Sequence, residues 1–217
     1  MRDNPVHTFL LFMTGQIPDQ ITAGQMRWVT VAVYWLLAIA GIGIAFFNWR
    51  RDTTQRSARH LLILAMRYLG GAMFYVGSLW KLPLPISAGF QSWMENCVKY
   101  SSWQFHADIM QYFLDHIVVV GPLVYLLEVG LAASFMLGFM VRLSGIVAAL
   151  FIFNLMIGLY NDPTEWVWTY VGLIVSFGMF SATQAGRSLG FDNVVAKRLL
   201  PIFETRNLAM GAIHWAS

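Results

Sequence analysis

The sequence predicts an all-α integral membrane protein: a four-helix transmembrane bundle plus one additional N-terminal transmembrane helix, with an outer interfacial loop and a cytoplasmic amphipathic helix. Of the 217 residues, 58% are hydrophobic and 12% are charged, whereas about 25% of the residues of a soluble domain carry charge. Apolar runs, each near the roughly 20 residues that cross a bilayer as helix, recur at 28–47, 61–80, 118–140, 143–160 and 165–183. These runs are the five predicted spans.

The cationic side chains between the spans indicate the orientation of the chain in the membrane. Nine of them follow the first, third and fifth spans, and four lie on the opposite side. Because cytoplasmic loops carry the excess of Lys and Arg, we expect the N-terminus outside and the C-terminus in the cytoplasm, in a bacterial or archaeal cytoplasmic (inner) membrane. The same distribution argues against a nucleic-acid-binding surface, although the net charge is +3.

Three parts of the chain follow from the spacing of the spans. Residues 1–60 hold an N-terminal tail, the extra span and a cytoplasmic linker, residues 61–195 hold the four-helix bundle, and residues 196–217 form a cytoplasmic tail. The polar linker after the first span, "NWRRDTTQRSARH", predicts that this span stands apart as an added helix. The third to fifth spans are joined by short turns and should form neighbouring antiparallel hairpins.

Two further segments are predicted to lie on the membrane surface. The outer segment between Pro85 and Ile117 alternates aromatic and polar residues, a composition typical of an interfacial cap that could roof the bundle. After the last span, one helical face carries apolar residues at Phe191, Val194, Val195, Leu199 and Ile202, while Asp192, Lys197 and Arg198 lie elsewhere. This pattern favours an amphipathic helix on the cytoplasmic leaflet, with a solvated tail as the alternative.

Inward-facing stripes mark the second and third spans. Residues three or four apart share a helical face, and small residues there let another helix approach closely. The stripe on the second span consists of Arg67, Gly70, Phe74, Gly77 and Lys81, and the stripe on the third consists of Gly121, Tyr125, Glu128, Ala132 and Phe135. An unpaired carboxylate at mid-membrane costs several kcal/mol. Glu128 is therefore expected to face the interior, either in a structural pair or as a ligand or proton site.

The depth of each polar residue suggests its partner. At about 1.5 Å per residue, Arg67 lies about 9 Å from the cytoplasmic end of its span, Asn154 about 16 Å and Glu128 about 18 Å. An Arg67–Glu128 pair is therefore one hypothesis, and the alternative is that Arg67 extends to the cytoplasmic headgroups. Lys81 lies beside Trp80 at the outer end of its span, and we expect it to extend outward to the headgroups.

Other chemistries receive little support from the sequence. His106 and His116 lie in the outer segment with two aspartates, but they are ten residues apart and show none of the usual ligand spacings, so no metal site is predicted. The 12 methionines are scattered through the spans as ordinary packing residues. Without a CxxC, haem or phosphate-loop motif, the chain is not expected to be an enzyme by itself.

Three segments, "RYLGGAMFYVGSLWKLP", "LLEVGLAASFMLGFMVRLSGIVAAL" and "GRSLGFD", together resemble the DoxX/DoxD family of small membrane proteins. The resemblance covers roughly residues 61–195 and leaves the first span outside. The positions that carry it are Arg67, Gly77, Lys81, Glu128, Gly138, Arg142, Gly186, Arg187 and Asp192.

This resemblance implies the small membrane subunit of a quinone-linked oxidoreductase, similar to thiosulfate:quinone oxidoreductase. Such a subunit needs an apolar groove, aromatic surface and a polar group at membrane depth. The expected aromatic contacts to the quinone are Phe74, Tyr75 and Tyr125, and the expected polar contacts are Arg67, Glu128 and Asn154. The sulfur chemistry would belong to a periplasm-facing redox subunit docked on the outer aromatic segment.

A rival interpretation fits the same composition. In it, the chain is a non-catalytic membrane anchor or accessory protein whose buried Arg and Glu only fix helix packing. A small-solute transporter is a third interpretation, but the sequence lacks the paired broken helices that mark such proteins. Whether Glu128 faces an open cavity or a packed interface discriminates the first two.

Overall fold

The computed structural model of the protein describes residues 4–199 and residue 216, and every regular element within residues 4–199 is helical. The α-helices in chain order are α1 (Pro5–Met13), α2 (Pro18–Thr22), α3 (Met26–Arg51), α4 (Ala58–Leu79), α5 (Ala88–Lys99), α6 (Gln104–Asp115), α7 (Ile117–Leu137), α8 (Val141–Gly158), α9 (Val167–Ala182) and α10 (Phe191–Val194). A π-helical turn, Val195–Leu199, follows α10. The all-α prediction is confirmed for this part of the chain.

Four of the helices are long and apolar enough to cross a bilayer: α3, α4, α7 and α8, with 26, 22, 21 and 18 residues. Their outer faces expose large apolar side chains such as Leu36, Leu62, Leu126 and Leu150, as a lipid environment requires. The predicted fifth span is α9, which has 16 residues and is about 24 Å long, short of a hydrocarbon core of about 30 Å. The chain is a membrane protein, whereas the crossing of α9 and the orientation of the termini stay predictions.

The bundle is built from two close helix pairs, α4 with α7 and α8 with α9. Aromatic rings join the pairs: Phe135 of α7 lies with its ring centroid 6.0 Å from that of Phe74 on α4 and 5.3 Å from that of Phe177 on α9. Gly145 lets α8 approach α9, because a Cβ there would lie 2.7 Å from the Phe177 carbonyl oxygen. Ring stacking and small residues thus hold together helices that lipid alone would not drive together.

The first long helix, α3, belongs to the bundle, so the prediction that it stands apart is wrong. A Cβ on Gly41 would lie 2.4 Å from the Met136 carbonyl oxygen, which means that the α3 backbone touches the α7 backbone. Tyr68 of α4 donates a hydrogen bond of 2.7 Å to the Ala38 carbonyl oxygen. This contact could not be predicted from the sequence, because a single glycine inside an apolar run does not indicate which helix it faces.

One end of the bundle, termed here the cap end (residues 80–116 and 159–166), is covered by α5 and α6. Ser87 begins α5 by accepting a hydrogen bond of 3.1 Å from the Phe90 amide, a capping arrangement typical of serine. The loop between α5 and α6 is fixed to the bundle, since the Ser102 amide donates to the Ile157 carbonyl at 3.0 Å. The predicted outer aromatic segment is therefore a pair of helices.

The other end, termed the linker end (residues 48–60, 138–141 and 183–197), is closed by the chain after α9. Gly138 ends α7 in the left-handed region with φ of 70°. Asp192 of α10 accepts hydrogen bonds from the amides of Met140 at 2.8 Å and Val141 at 3.1 Å. A carboxylate at this position satisfies amides left unpaired at the start of α8.

The predicted surface helix after the last span is wrong in its placement of Asp192. The helix α10 has four residues, and Asp192 is 0% exposed, so this carboxylate lies inside the fold. Lys197 instead contacts Asp52 after α3. Of the predicted cytoplasmic tail, residues 200–215 and 217 lie outside the described residues. They include Ile202 of the predicted amphipathic helix and Arg206.

Candidate functional site

A cavity of about 550 Å³ lies between α4, α7, α8 and α9 beneath the cap helices. This volume is within the range of small-molecule sites, about 300–1,000 Å³. Its walls are apolar and aromatic apart from a few polar groups. The lining residues that define its chemistry are Phe74, Gly77, Lys81, Trp93, Cys97, Glu128, Asn154 and Tyr170.

An ion pair lies in the cavity wall. The Lys81 ammonium donates to Glu128 Oε1 at 2.9 Å and also lies 2.8 Å from Oε2. A third contact, at 2.9 Å, runs from Nζ to the Gly77 carbonyl oxygen one turn earlier on α4. The predictions that Lys81 extends to the headgroups and that Glu128 pairs with Arg67 are therefore wrong.

The physical reason is the direction of the lysine side chain. Lys81 is 9% exposed and Glu128 is 4% exposed, because α5 and α6 cover the end of α4 and close the route to the headgroups. The stem folds back along its own helix, and Nζ reaches the middle of α7. Gly77 leaves room for this contact, since a Cβ there would lie 3.6 Å from Glu128 Oε1.

One carboxylate oxygen of Glu128 has unused hydrogen-bonding capacity. Oε2 is buried and accepts no hydrogen bond within the described part of the chain, although Lys81 lies close to it. The ammonium at 2.8 Å balances the charge of Oε2, but a carboxylate oxygen has lone pairs for more than one donor, so a donor from a bound molecule can still contact this oxygen. This oxygen can accept a hydroxyl proton.

An amide and an imidazole form a second polar feature. Asn154 lines the cavity, and its Oδ1 lies 3.1 Å from Nε2 of His106 on α6. The other imidazole nitrogen, Nδ1, lies 3.0 Å from the Ser101 hydroxyl. Because Oδ1 faces the histidine, Nδ2 is the amide group left to donate to a molecule in the cavity.

The remaining walls carry aromatic rings and a thiol. Trp80 and Trp93 form an edge-to-face pair with centroids 6.4 Å apart, and Phe74 and Tyr170 also line the cavity. Burial raises the pKa of the Cys97 thiol to about 12. Since the thiolate is the reactive form of cysteine, Cys97 contributes apolar surface and not a nucleophile.

The predicted site residues divide between the cavity and other places. Phe74, Glu128 and Asn154 line the cavity. Tyr75 does not: its hydroxyl donates to the Thr30 carbonyl oxygen of α3. Tyr125 is a partly buried residue packed on the hydrophobic core and is outside the cavity lining.

Arg67 lies at the linker end, away from Glu128. It is 0% exposed, and its Nη2 donates to the Ser188 carbonyl oxygen at 3.2 Å. Its Nη1 fits between two glycines, since a Cβ would come within 1.9 Å of it from Gly138 and within 2.8 Å from Gly190. Both earlier hypotheses for Arg67, the pair with Glu128 and the extension to the headgroups, are wrong.

The positions that carry the family resemblance fall into two groups. Lys81, Gly77 and Glu128 meet at the cavity. The others gather around the buried Arg67, where Asp192 supplies the nearby negative charge. A Cβ on Gly186 would lie 1.9 Å from Asp192 Oδ2. The arginine cradle is defined here as Arg67, Gly138, Gly186 and Asp192 of the second group together with the neighbouring Gly190. The two other positions of that group, Arg142 and Arg187, lie on the adjoining elements.

Burial controls the protonation of the cradle carboxylate. Desolvation raises the pKa of Asp192 to about 6, while the amides of Met140 and Val141 and the charges of Arg67 and Arg187 act in the opposite direction. The usual value is 3.8, so the carboxyl titrates near neutral pH. This carboxyl is a structural cap, since its hydrogen bonds go to backbone amides.

Sequence reasoning missed the roles of Lys81 and His106 in this site. Lys81 shares a helical stripe with Phe74 and Gly77, which both line the cavity, and that shared face was the available signal. His106 had no comparable signal, because its contact with Asn154 joins residues 48 positions apart. No group of three or more His, Cys, Asp or Glu side chains that could hold a metal lies together within residues 4–199.

Compared with models of protein families, with curated proteins and with solved structures, the chain has no match. The interpretation of the cavity therefore depends on its own geometry.

Proposed function

We propose that the protein is a membrane subunit of a quinone-linked oxidoreductase and that the cavity binds the quinone ring. The observation that carries this proposal is the pairing of an apolar, aromatic cavity of about 550 Å³ with few polar groups, the Lys81–Glu128 ion pair and the Asn154 amide. Sites for small apolar ligands combine such walls with a small number of placed polar groups.

The polar groups match the chemistry of a quinone ring. Its carbonyl oxygens accept hydrogen bonds, and Asn154 Nδ2 is available to donate one. The reduced ring carries hydroxyl groups, and Oε2 of Glu128, which accepts no hydrogen bond within the described residues, can accept from one of them. The aromatic side chains Phe74, Trp93 and Tyr170 offer faces and edges against which a flat ring packs.

The electron donor, in this proposal, is a separate redox subunit that docks at the cap end. The helices α5 and α6 cover the cavity and expose aromatic side chains at Trp103, Phe105 and Tyr112, and exposed aromatic surface is typical of interaction sites. The cation bias of the sequence favours a periplasmic position for this end. The reaction would be similar to that of thiosulfate:quinone oxidoreductase, with the sulfur chemistry on the partner.

The resemblance to the DoxX/DoxD family supports the same proposal. Its motif positions come from segments far apart in the sequence, yet Lys81 and Glu128 meet at the cavity, and Arg67, Gly138 and Asp192 meet in the arginine cradle. Because these positions form two compact groups in the fold, together they support the resemblance more strongly than any single motif does.

Quinone binding by the purified protein tests the proposal. The protein in lipid nanodiscs would be titrated with decylubiquinone, and binding followed by quenching of tryptophan fluorescence, since Trp80 and Trp93 line the cavity. We expect saturable binding that weakens at least tenfold in Gly77→Leu, because leucine fills the space beside Glu128. Gly130→Leu is the matched control: this glycine of α7 has nothing within 4 Å of its Cβ position.

Equal affinity in the native protein and in Gly77→Leu, or no saturable binding, would contradict a quinone site. The alternative function, a non-catalytic anchor of the DoxX kind, would then be favoured. One observation supports that alternative: the arginine cradle joins α4, α7 and α10 without lining the cavity. In that case the Lys81–Glu128 pair would serve packing alone.

A further inference from the structure

A buried imidazole connects the cavity wall to the surface of the cap end. His106 is 8% exposed and lies between the Asn154 side chain at 3.1 Å and the Ser101 hydroxyl at 3.0 Å. The Ser101 hydroxyl also lies 3.1 Å from the Trp103 carbonyl oxygen. We propose that the His106–Asn154 pair is a reversible donor–acceptor switch that lets the cavity bind both the carbonyl and the hydroxyl form of a quinone ring; this inference rests on the proposed function.

The first state of the switch presents a donor to the cavity. When Nε2 of His106 carries a proton, it donates to Asn154 Oδ1, which turns the Nδ2 amide toward the cavity. Nδ1 then either accepts from the Ser101 hydroxyl or, in the imidazolium form, donates to it while Ser101 donates to the Trp103 carbonyl. An amide donor in the wall binds a carbonyl oxygen.

The second state presents an acceptor. When the proton of the neutral ring is on Nδ1, it donates to Ser101 Oγ, and the serine hydroxyl donates onward to the Trp103 carbonyl oxygen. Nε2 is then an acceptor, so Asn154 turns its amide and donates Nδ2–H to it. Oδ1 now faces the cavity and accepts from a hydroxyl group. Both imidazole nitrogens and the Asn154 atom that faces them keep a partner in both states, and the other atom of the amide is left for the ligand.

The surroundings of His106 favour such a switch over a rearrangement of the ring. A Cβ on Gly158 would lie 3.2 Å from His106 Cε1 and 3.2 Å from Cys97 Sγ, so the imidazole is closely packed against α8. The change of state moves the ring proton by way of the imidazolium form: Nδ1 gains a proton from water on the Ser101 side, and Nε2 gives one up to water in the cavity. It also needs a rotation of the Ser101 hydroxyl and a turn of the Asn154 amide. His106 is thus a positioning residue that acts on the ligand through Asn154.

The affinities for the two forms of one ligand test this inference. Decylubiquinone and its dithionite-reduced quinol would each be titrated against the native protein, Asn154→Asp and His106→Lys in nanodiscs. His116→Lys is the control, because His116 is exposed and contacts the Tyr112 carbonyl. Variants would first be checked for a monodisperse elution profile. The readout is the ratio of the quinone Kd to the quinol Kd.

We expect the ratio of the quinone Kd to the quinol Kd to change in opposite directions in the two variants. The carboxylate of Asn154→Asp offers only acceptors. The affinity for the quinone should therefore fall relative to the affinity for the quinol by about fivefold or more, the scale of one hydrogen bond. His106→Lys carries only donors, so it can donate to Asn154 Oδ1 and fixes the donor state, and quinol binding should weaken relative to quinone binding. A purely structural role would weaken both forms equally.

The outcomes separate this inference from the proposed function. Binding of both forms by the native protein with unchanged ratios in the two variants would overturn the switch and leave the quinone site intact. Binding of neither form by the native protein would overturn the quinone site, and the switch with it. A ratio that changes in His116→Lys as much as in His106→Lys would also overturn the switch.

Discussion

Lys81 Nζ lies 2.9 Å from Oε1 and 2.8 Å from Oε2 of Glu128, so one ammonium group contacts both oxygens of a carboxylate on the neighbouring helix. The pair joins the end of α4 to the middle of α7 inside a largely apolar wall. Removing one member of a buried pair leaves an uncompensated charge, whereas replacing both members removes the desolvation cost as well as the attraction. Comparing single and double variants therefore separates the contribution of this pair to protein stability from its contribution to ligand binding.

The first prediction is that single changes in the pair are severe and the double change is mild. Lys81→Met or Glu128→Leu alone should lower the free energy of unfolding by about 3–5 kcal/mol. The double variant Lys81→Met with Glu128→Leu should recover most of this loss while losing decylubiquinone affinity. Unfolding in mixed micelles with increasing denaturing detergent gives the energies. A double variant as unstable as the sum of the singles would contradict the prediction.

The arginine cradle leads to the second prediction, on Gly138→Ala. The added methyl would lie 1.9 Å from Arg67 Nη1, at a residue with φ of +70°, so the guanidinium must move or the turn after α7 must open. We expect a loss of about 2–4 kcal/mol, the scale of overpacking combined with backbone strain. Gly130→Ala, in open space on the same helix, is the control and should be at least as stable as the native protein. Equal thermal stability of the two variants would argue against a tight cradle.

The third prediction concerns pH and Asp192. Its pKa is raised to about 6 from 3.8, so between these values the folded state binds more protons at this carboxyl than the unfolded state does. Its contribution to stability is therefore largest below the unfolded pKa and is lost as pH rises through 6. The stability of the native protein relative to Asp192→Asn should increase by about 1.4 kcal/mol as pH falls from 7.5 to 5, because pH 5 lies one unit below the folded pKa and each unit is about 1.4 kcal/mol. The full difference of about 3 kcal/mol would be reached only below pH 3.8.

Asp52 supplies the control for that measurement. Its hydrogen bonds with Lys197 and Thr54 lower its pKa to about 2, so it stays ionised throughout this pH window. The stability difference between the native protein and Asp52→Asn should be constant from pH 7.5 to pH 5. Melting temperatures of the three proteins in nanodiscs measure both effects. If the stability difference between the native protein and Asp192→Asn does not change with pH, this carboxyl does not titrate between pH 7.5 and pH 5.

The fourth prediction is the topology. The nine-to-four distribution of cations predicts that the linker end is in the cytoplasm and the cap end outside. Cysteines at the exposed positions Ser92 and Thr54 should react differently with an impermeant maleimide added to intact cells: Ser92→Cys is modified and Thr54→Cys is protected. The native Cys97 is buried and gives a low background. Labelling of Thr54→Cys alone would reverse the topology and the placement of the redox partner.

The sequence by itself determined the class of the protein and which helical faces turn inward. A run of about 20 apolar residues crosses a bilayer whatever its neighbours are, and the helical period is a local property, so residues three and four apart share a face. Phe74, Gly77 and Glu128 were predicted to face the interior on that basis, and all three line the cavity.

Only the tertiary structure decided which charges meet. Depth along each span ranked Arg67 as the partner of Glu128, but the pairing depends on where the neighbouring chain lies, and this is not a local property. At the cap end, α5 and α6 cover Lys81 and turn its side chain back toward Glu128. At the linker end, the chain after α9 folds over Arg67 and brings Asp192 beside it from 125 residues away in the sequence. In both places a segment packs over the end of the bundle and removes the charged group from water. The buried charge is then stabilised by the oppositely charged side chain that lies nearest to it.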